Sequence, residues 1–393
     1  VLIWITTVEA IDHALKFIDH IEKASLSDEI FPKELREAVG NPMRTLFNIH
    51  QDPSLRLSLR LFFLAINGAE AQYNIARDAI LEYNPDCNIL SYHLCKQEVR
   101  RLTGIVPIIA DMCPDSCMAY TGPFQDRDTC IECGKARYLD KTRTVRGTAK
   151  TEKVAAQQFY TIPIAPFLQA LHSSPDNARL LRYRQEKTQE IMTRFKNPTT
   201  GEINITEIDD FFCGTEYLKA VIEGDIEDND IVLVTSIDGA QLYEMKHSDC
   251  WIYIWIIMDL PPNYRYKKQY LIPGGVIPGP NKPKNIDSFM FPGLAHVRAA
   301  QTEGLMVWDA ATGSHVKRQP IPVCGTADGP GLTNFSGLVG HIGYLSCQCY
   351  CGIKGRRESL HAKRYHPAIF KPNDMDPRLE SSNHSDVDVP KLI

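Results

Sequence analysis

The sequence predicts a multi-domain protein of mixed α+β and α/β class, with a helical N-terminal region, a small metal-binding module and a core in which helices flank a mixed sheet. Helical periodicity fills the first hundred residues, two closely spaced cysteine pairs follow, and apolar extended segments surround one helical segment beyond residue 230. The 393 residues are 44% hydrophobic and 23% charged, a composition typical of a globular chain with two or three domains.

The N-terminal region, residues 1–106, is predicted to be helical. Apolar residues recur every three or four positions in 8–24, and the segments 55–82 and 91–104 show the same periodicity. Gly104 is a typical residue for ending the last of these helices. The Leu and Phe positions of this region are those of a helical core, so we assign them no chemistry.

The next segment, residues 107–140, carries two short-spaced cysteine pairs. Three residues separate Cys113 from Cys117, two separate Cys130 from Cys133, and twelve lie between the pairs. This spacing predicts a tetrahedral Zn²⁺ site, and four thiolate ligands leave no open position for catalysis. Without a secretory signal, metal ligation is favoured over disulfides, and unrelated reduced thiols are the alternative.

The segment 141–230 is predicted to be a linker with basic and acidic parts. It contains a basic amphipathic helix at 177–195, whose charged side chains, Arg184 among them, face either phosphates or water. The solvated face is the simpler interpretation. The part from 202 to 230 is acidic and rich in Asn, Asp and Gly, which is typical of a linker or insertion.

The core, residues 231–370, contains two aspartates that each close an apolar extended run. Asp238 stands at the end of IVLVTSIDG, and Asp328 stands ninety positions later at the end of PIPVCGTADG. Two such strand ends can bring two carboxylates together. Two carboxylates are the minimal ligand set for a pair of Mg²⁺ ions in phosphodiester chemistry. The alternative is that each Asp-Gly simply starts a turn.

The order of elements in the core predicts an RNase H-like fold. Extended segments at 231–243, 251–260 and 270–279 precede a helical segment at 287–304, and a fourth extended segment follows at 319–328. The first and fourth strands are neighbours in that fold, so the two aspartates would converge.

Basic residues are clustered although the net charge is −5. The segment 135–153 carries seven Lys/Arg against two acids, which suits either contact with a duplex or a solvated linker. Near the core, we predict phosphate contacts by Lys267, Lys268, Lys282 and Lys284.

A second cysteine cluster follows the second aspartate. We expect Cys347 and Cys351 to be its ligands for a second Zn²⁺, although their spacing is less regular than that of the first cluster. Residues 371–393 are polar and are predicted to form a tail. The apolar run 251–260 has only about half the length that a membrane-spanning helix needs, so we expect a soluble, intracellular protein with no membrane partner.

Long blocks of this sequence resemble the transposases of CACTA-type (En/Spm-like) DNA transposons, in the form found in fungi. The blocks are DMCPDSCMAYTGPF with CIECG, QQFYTIPIAPFLQAL with RYRQE, SIDGAQLYEMKHSDCWIYIWIIMDLPPNYRYKK, IPGGVIPGPNKPKNIDSFMFPGL and GTADGPGLTNFSGLVGH. They run over nearly the whole chain and are more specific than short motifs.

The resemblance implies an RNase H-like core with an Asp-Asp-Glu set and divalent metal, Mg²⁺ or Mn²⁺. Asp238 matches the first family aspartate and Asp328 the second, while Cys347 and Cys351 match the cysteine pair that follows. The family's third acidic residue lies further downstream, so we expect a C-terminally truncated core. The resemblance further implies transposon-end and target DNA as partners, a nuclear location and a homo-oligomer.

The sequence therefore predicts a transposase, or a fragment of one, that cleaves and transfers DNA strands in cut-and-paste transposition. One alternative is a catalytically inactive, transposon-derived protein that binds DNA through its zinc module and basic segments. Another is an RNase H-like nuclease with no role in transposition.

Overall fold

The computed structural model describes residues 9–42, 44, 48–145, 148–195, 203–241, 249–336, 356–357 and 365–366. The α-helices in these ranges are α1 (Glu9–Glu22), α2 (Lys33–Gly40), α3 (Pro53–Leu64), α4 (Glu70–Tyr83), α5 (Tyr92–Thr103), α6 (Ala165–His172), α7 (Pro175–Leu180), α8 (Tyr183–Phe195), α9 (Thr215–Glu223), α10 (Pro262–Arg265), α11 (Ile286–Glu303) and α12 (Gly329–Ser336). The strands are β1 (Ile108–Met112), β2 (Tyr138–Val145), β3 (Thr148–Ala155), β4 (Gln157–Thr161), β5 (Ile231–Gln241), β6 (Asp249–Ile257), β7 (Ile272–Ile277), β8 (Leu305–Asp309), β9 (Ser314–Arg318), β10 (Pro320–Thr326), β11 (Arg356–Arg357) and β12 (Tyr365–His366).

A six-stranded sheet with the order β1-β4-β7-β6-β5-β10 forms the centre of the protein. Its neighbouring strands are antiparallel except β5 and β10, which run parallel. The predicted mixed α/β architecture is therefore confirmed. The strand β4, which lies in the segment where the sequence predicts a linker, joins this sheet between β1 and β7.

The strand β5 is apolar at successive positions because both faces of the sheet are covered. Its odd-numbered residues, such as Leu233 and Ile237, belong to a core that includes α11. Its even-numbered residues Val232 and Val234 belong to a second core with side chains of α8 and α9. Burial on both faces explains why this strand shows no alternation of apolar and polar residues.

The helix α11 is the longest described helix and lies against the first face of the sheet. Its N-terminus is capped by Asn285, whose side chain accepts a hydrogen bond from the main-chain N–H of Ser288 at 3.0 Å. Gly293 on this helix lies over Tyr253 of β6, and a Cβ atom at that glycine would stand 2.4 Å from the tyrosine hydroxyl oxygen. The small residue permits close helix–sheet packing.

The N-terminal helices form two groups. The first, α1 and α2, contributes Phe17, Leu35 and Val39 to the core that contains α11. The second, α3 to α5, surrounds a small separate core of Leu55, Leu59, Phe62, Tyr73 and Cys95. Gly104 follows α5 in the left-handed conformation, with φ of 66°, as a helix-ending glycine does.

Buried ion pairs fasten the segment around α8 and α9 to the sheet. The Arg184 guanidinium donates to Asp259 at 2.8 Å, and both side chains are almost fully buried. Asp259 also accepts from the main-chain N–H of Val232 at 2.7 Å, while Arg265 pairs with Asp210 at 2.9 Å. Arg184 is thus a structural residue, and the idea that it faces phosphates or solvent is wrong because its charge is neutralised inside the protein.

We predict that Gly293→Ala lowers the melting temperature by an amount equivalent to roughly 1–3 kcal/mol, because the new methyl group would overlap the Tyr253 hydroxyl. Alanine is a better helix former than glycine, so helix propensity alone predicts a higher melting temperature. The control is Gly40→Ala, where no atom lies within 4 Å of the new Cβ. The double variant Gly293→Ala/Tyr253→Phe should recover part of the loss, and full stability of Gly293→Ala alone would contradict the packing argument.

We predict that stability falls as pH drops from about 6.5 to about 4, because burial lowers the pKa of His172 and of His296 to about 4. Between these pH values the unfolded chain binds protons that the folded chain does not. Each histidine therefore lowers the free energy of unfolding by an amount on the order of 3 kcal/mol at pH 4. Melting at pH 7.5 and 5.0 checks this. Between pH 7.5 and 5.0 the melting temperature of His296→Gln should fall less than that of the wild type. The control His93→Gln, at an exposed histidine, should lose as much as the wild type.

Candidate functional site

The two predicted aspartates lie at the same edge of the central sheet, Asp238 in β5 and Asp328 two residues after the adjacent parallel strand β10. Thr326 of β10 is paired with Ser236 of β5. Asp328 follows Thr326 by two residues, and Asp238 follows Ser236 by two residues. Asp238 is still within β5, and Asp328 immediately precedes α12. Both side chains are exposed. The parallel pairing thus brings together two residues that are ninety positions apart in the sequence.

Main-chain amides fix one oxygen of each carboxylate. Asp238 Oδ1 accepts from the N–H of Gly239, and Asp328 Oδ1 accepts from the N–H of Gly331, both at 2.7 Å. A Cβ atom at Gly331 would stand 2.8 Å from Asp328 Oδ1, so the glycine allows this close approach. The edge therefore presents two oriented oxygen donors, the ligand type that Mg²⁺ and Mn²⁺ prefer.

The four predicted DNA-contacting lysines do not lie together. Lys282 and Lys284 follow β7, whose C-terminal Ile277 pairs with Trp251 near the aspartate edge. Lys282 Nζ lies 5.3 Å from the centroid of the Trp251 ring, and Trp251 is the register partner of Gly239.

The other two, Lys267 and Lys268, lie between the end of β6 and the start of β7, which is the opposite edge of the sheet. Lys267 Nζ stands 4.2 Å from the centroid of the Tyr264 ring. Only the Lys282 and Lys284 pair shares an edge with Asp238.

All four cysteines of the predicted zinc module come together. The Sγ atoms of Cys113, Cys117, Cys130 and Cys133 lie within 4.8 Å of one another, and those of Cys113 and Cys133 are 3.5 Å apart. The first three residues are buried and Cys133 is exposed. The cluster could hold a metal such as zinc.

Two similar turns present these thiols. After Cys113 the chain turns at Ser116, which has φ of 59°, and after Cys130 it turns at Gly134, which has φ of 71°. Main-chain bonds close both turns, from Ser116 N–H to Cys113 O at 2.8 Å and from Gly134 N–H to Cys130 O at 2.9 Å. A residue with positive φ allows each segment to reverse direction, so that both cysteines of a pair face the same point.

The electrostatics of the cluster suit a cation. Burial raises the pKa of Cys130 to about 11, and burial together with the neighbouring Cys113 raises that of Cys117 further. The exposed Cys133 differs, because its partial burial raises the pKa but hydrogen bonds from the main chain of Lys135 and from the other cysteines outweigh this and lower it. A divalent cation would stabilise the thiolate form of all four cysteines.

The cysteine module is fastened to the loop that leads from β7 into α11. Ser116 Oγ donates to Pro278 O at 2.9 Å, and the N–H groups of Lys284 and Asn285 donate to Cys117 O at 3.0 and 2.9 Å. Ala119 N–H donates to Ser288 Oγ at 2.9 Å. The module thus braces the loop that carries Lys282 and Lys284. Sequence reasoning missed these contacts because their partners are more than 160 positions apart and carry no local signal.

The second predicted metal site, at Cys347 and Cys351, lies outside the described residues, as does the polar tail 371–393. None of the helices that the structure describes is long and apolar enough to cross a membrane.

We predict that Cys130→Ser abolishes binding of one zinc ion per chain and lowers the melting temperature, because a three-thiolate shell holds Zn²⁺ more weakly than a four-thiolate shell. Metal analysis of the purified protein by plasma mass spectrometry measures the first effect. Cys87→Ser, a half-buried cysteine outside the cluster, is the control. Full zinc content in Cys130→Ser would rule out this ligand.

Residues 225–366 match the family described as transposase family tnp2. The matched segment runs from the loop before β5 through β12 and includes both aspartates, while the four-cysteine module lies outside it. A comparison with curated proteins found no match. The family match supports a transposase role for the chain and implies DNA binding.

Proposed function

We propose that this chain is a transposase of the CACTA type, in its fungal form, that performs metal-dependent DNA strand cleavage and strand transfer at transposon ends in cut-and-paste transposition. The observation that carries the proposal is the pair Asp238 and Asp328, of which the first lies in β5 and the second follows the parallel neighbouring strand β10 by two residues. Both residues fall inside the segment that matches a transposase family.

The element order of the core supports an RNase H-like fold. Three antiparallel strands, β7-β6-β5, are followed by α11, and the next strand of the sheet, β10, runs parallel to β5 on its outer side. The hairpin of β8 and β9 is an insertion between α11 and β10. This arrangement places the ends of the first and fourth core strands side by side, where the fold would hold its carboxylates.

In the proposed mechanism, Asp238 and Asp328 would hold the catalytic metal ions, and the hydrogen bonds from the main-chain N–H groups of Gly239 and Gly331 orient their carboxylates. The chemistry that Mg²⁺ or Mn²⁺ would supply there is activation of the attacking hydroxyl and stabilisation of charge on the leaving oxygen. Lys282 and Lys284 neutralise DNA phosphates beside the aspartates, and Lys267 and Lys268 contact phosphates elsewhere along the duplex. The zinc module has a structural role because four thiolates leave no ligand position for substrate.

A second candidate function is that of a catalytically inactive, transposon-derived DNA-binding protein. One observation favours it. Among the residues that the structure describes, the cysteine module is the only group of three or more His, Cys, Asp or Glu side chains close enough to hold a metal. A third carboxylate for Asp238 and Asp328 would therefore come from outside the described residues. A nuclear location and homo-oligomeric assembly belong to either version of the proposal.

We predict that Asp238→Asn and Asp328→Asn each reduce Mg²⁺- or Mn²⁺-dependent cleavage of a transposon-end duplex by a factor of about 10³ or more, because each removes a charged metal ligand. DNA affinity should change little. Asp176→Asn, an exposed aspartate on α7, is the matched control and should cleave like the wild type.

Three outcomes separate the candidates. Cleavage that depends on both aspartates and on transposon-end sequence supports the transposase. Equal cleavage of unrelated duplexes or RNA–DNA hybrids favours a general nuclease instead. DNA binding with no cleavage by the wild type favours the inactive DNA-binding protein.

A further inference from the structure

The indole of Trp251 lies at the edge of the central sheet that carries the two aspartates. Trp251 is in β6, where it is the register partner of Gly239 in β5 and of Ile277, the last residue of β7. Gly239 directly follows Asp238, and the chain beyond Ile277 leads to Lys282. Trp251 therefore stands between the strand that carries Asp238 and the loop that carries Lys282.

The first contact of the indole is with the strand of Asp238. A Cβ atom at Gly239 would stand 3.3 Å from both Cε2 and Cζ2 of Trp251. The glycine thus lets the ring lie close against the main chain just after Asp238. The main-chain N–H of Gly239 is also the donor that orients the Asp238 carboxylate, at 2.7 Å. The ring therefore packs on the residue that fixes this aspartate.

The second contact of the indole is with Lys282. The Lys282 Nζ lies 5.3 Å from the centroid of the Trp251 ring. The face of an aromatic ring attracts an ammonium group, and the indole does so most strongly. Trp251 is itself buried, whereas Lys282 is exposed, so a fixed ring acts on a mobile side chain. A contact that restricts a lysine before it binds a ligand reduces the entropy lost on binding.

The indole N–H is not what holds the ring in place. The Nε1 atom of Trp251 is buried and has no hydrogen-bond partner among the residues that the structure describes. A buried donor without a partner costs stability. Replacement by phenylalanine removes that donor and keeps an aromatic face, so Trp251→Phe is a mild change to the sheet.

Trp251 and Asp238 lie on opposite faces of the same edge. Trp251 and Ile237 belong to the core that contains α11. Side chains alternate between the two faces along a strand, so Asp238, the next residue after Ile237, is directed to the other face. A DNA backbone that crosses this edge can present one phosphate to metal ions at Asp238 and Asp328 and a flanking phosphate to Lys282.

We propose that Trp251 is a positioning residue for DNA binding, whose ring holds the Lys282 ammonium where it neutralises a phosphate that flanks the cleavage site. This role rests on the proposed function, which supplies DNA as the ligand and the Asp238 edge as the place of cleavage. A phosphate contact carries no sequence information. The pair therefore adds affinity and fixes the position of the backbone, and recognition of the transposon end belongs to other residues.

The test is a double-mutant cycle with Trp251→Leu, Lys282→Gln and the variant that carries both changes. Fluorescence anisotropy with a labelled duplex, in a salt series without Mg²⁺ or Mn²⁺, gives the dissociation constant and its salt dependence. In about 0.1 M salt, Lys282→Gln should bind roughly three- to tenfold more weakly, and its slope of log K against log salt should be smaller in magnitude by about 0.9, as for one lost phosphate contact.

Trp251→Leu should bind about threefold more weakly than the wild type, because the lysine loses the aromatic face that holds it. The double variant should bind no more weakly than Lys282→Gln, because the ring acts only through the lysine. Trp251→Phe should fall between the wild type and Trp251→Leu, since a phenyl ring attracts a cation less than an indole does.

Trp255→Leu is the matched control. It also removes a buried tryptophan from β6, and the ring of Trp255 lies beside that of Tyr253, 6.4 Å away between centroids. Any loss of affinity that it causes should be the same in the wild-type and in the Lys282→Gln background. Zinc content and melting temperature report whether each variant is folded.

Two results would overturn the inference. If the losses of Trp251→Leu and Lys282→Gln multiply in the double variant, Trp251 acts independently of the lysine and has only a structural role. If Lys282→Gln binds duplex DNA like the wild type, there is no contact for the ring to position. Because binding is measured without catalytic metal, a failure of Asp238 and Asp328 to support cleavage would refute the proposed function and leave this comparison intact.

Discussion

The parallel pairing of β5 with β10 is the constraint on which the candidate site depends. A parallel pair needs a crossover connection, and here α11 together with the β8–β9 hairpin supplies it between β7 and β10. The helix α11 packs closely on the sheet at Gly293. The chain that follows it returns as β10 beside β5. The register pairs Thr326 with Ser236, so that Asp328 and Asp238, each two residues further along the chain, lie at the same edge of the sheet. A shift of two residues in this register would move the carboxylates apart by more than a metal–ligand distance.

The cysteine module and the sheet edge form one structural unit. The first cysteine turn holds the loop after β7 through Ser116 and Cys117, and that loop carries Lys282 and begins α11. The second cysteine turn leads to Arg137, whose bond to Asp111 fixes the start of the hairpin of β2 and β3. A metal ion bound by the four thiols would therefore stabilise the positions of two basic elements without contacting a substrate.

The other face of the sheet combines an apolar core with buried ion pairs. Asp259 lies in the turn after β6, where it accepts hydrogen bonds from Arg184 of α8 and from the main chain of β5. Burial raises the pKa of the Asp259 carboxyl, and the adjacent Arg184 guanidinium and the N–H of Val232 oppose that rise. Removing one partner would leave an unpaired buried charge, so the pair specifies how α8 and α9 attach to the strands that carry Asp238.

The sequence by itself determined the elements and the residue types of the site. Apolar periodicity predicted the helices α1 and α5 and the strands β5, β6 and β10, since burial imposes those patterns locally, and the cysteine spacing predicted a four-thiol cluster because short turns bring such pairs together. Only the tertiary structure decided that Arg184 is buried against Asp259, that Lys267 and Lys268 lie at the opposite edge from Asp238, and that β4 joins the central sheet. Those facts depend on contacts between residues far apart in the chain. The type of a charged residue does not reveal whether its side chain faces water, a phosphate or a buried partner.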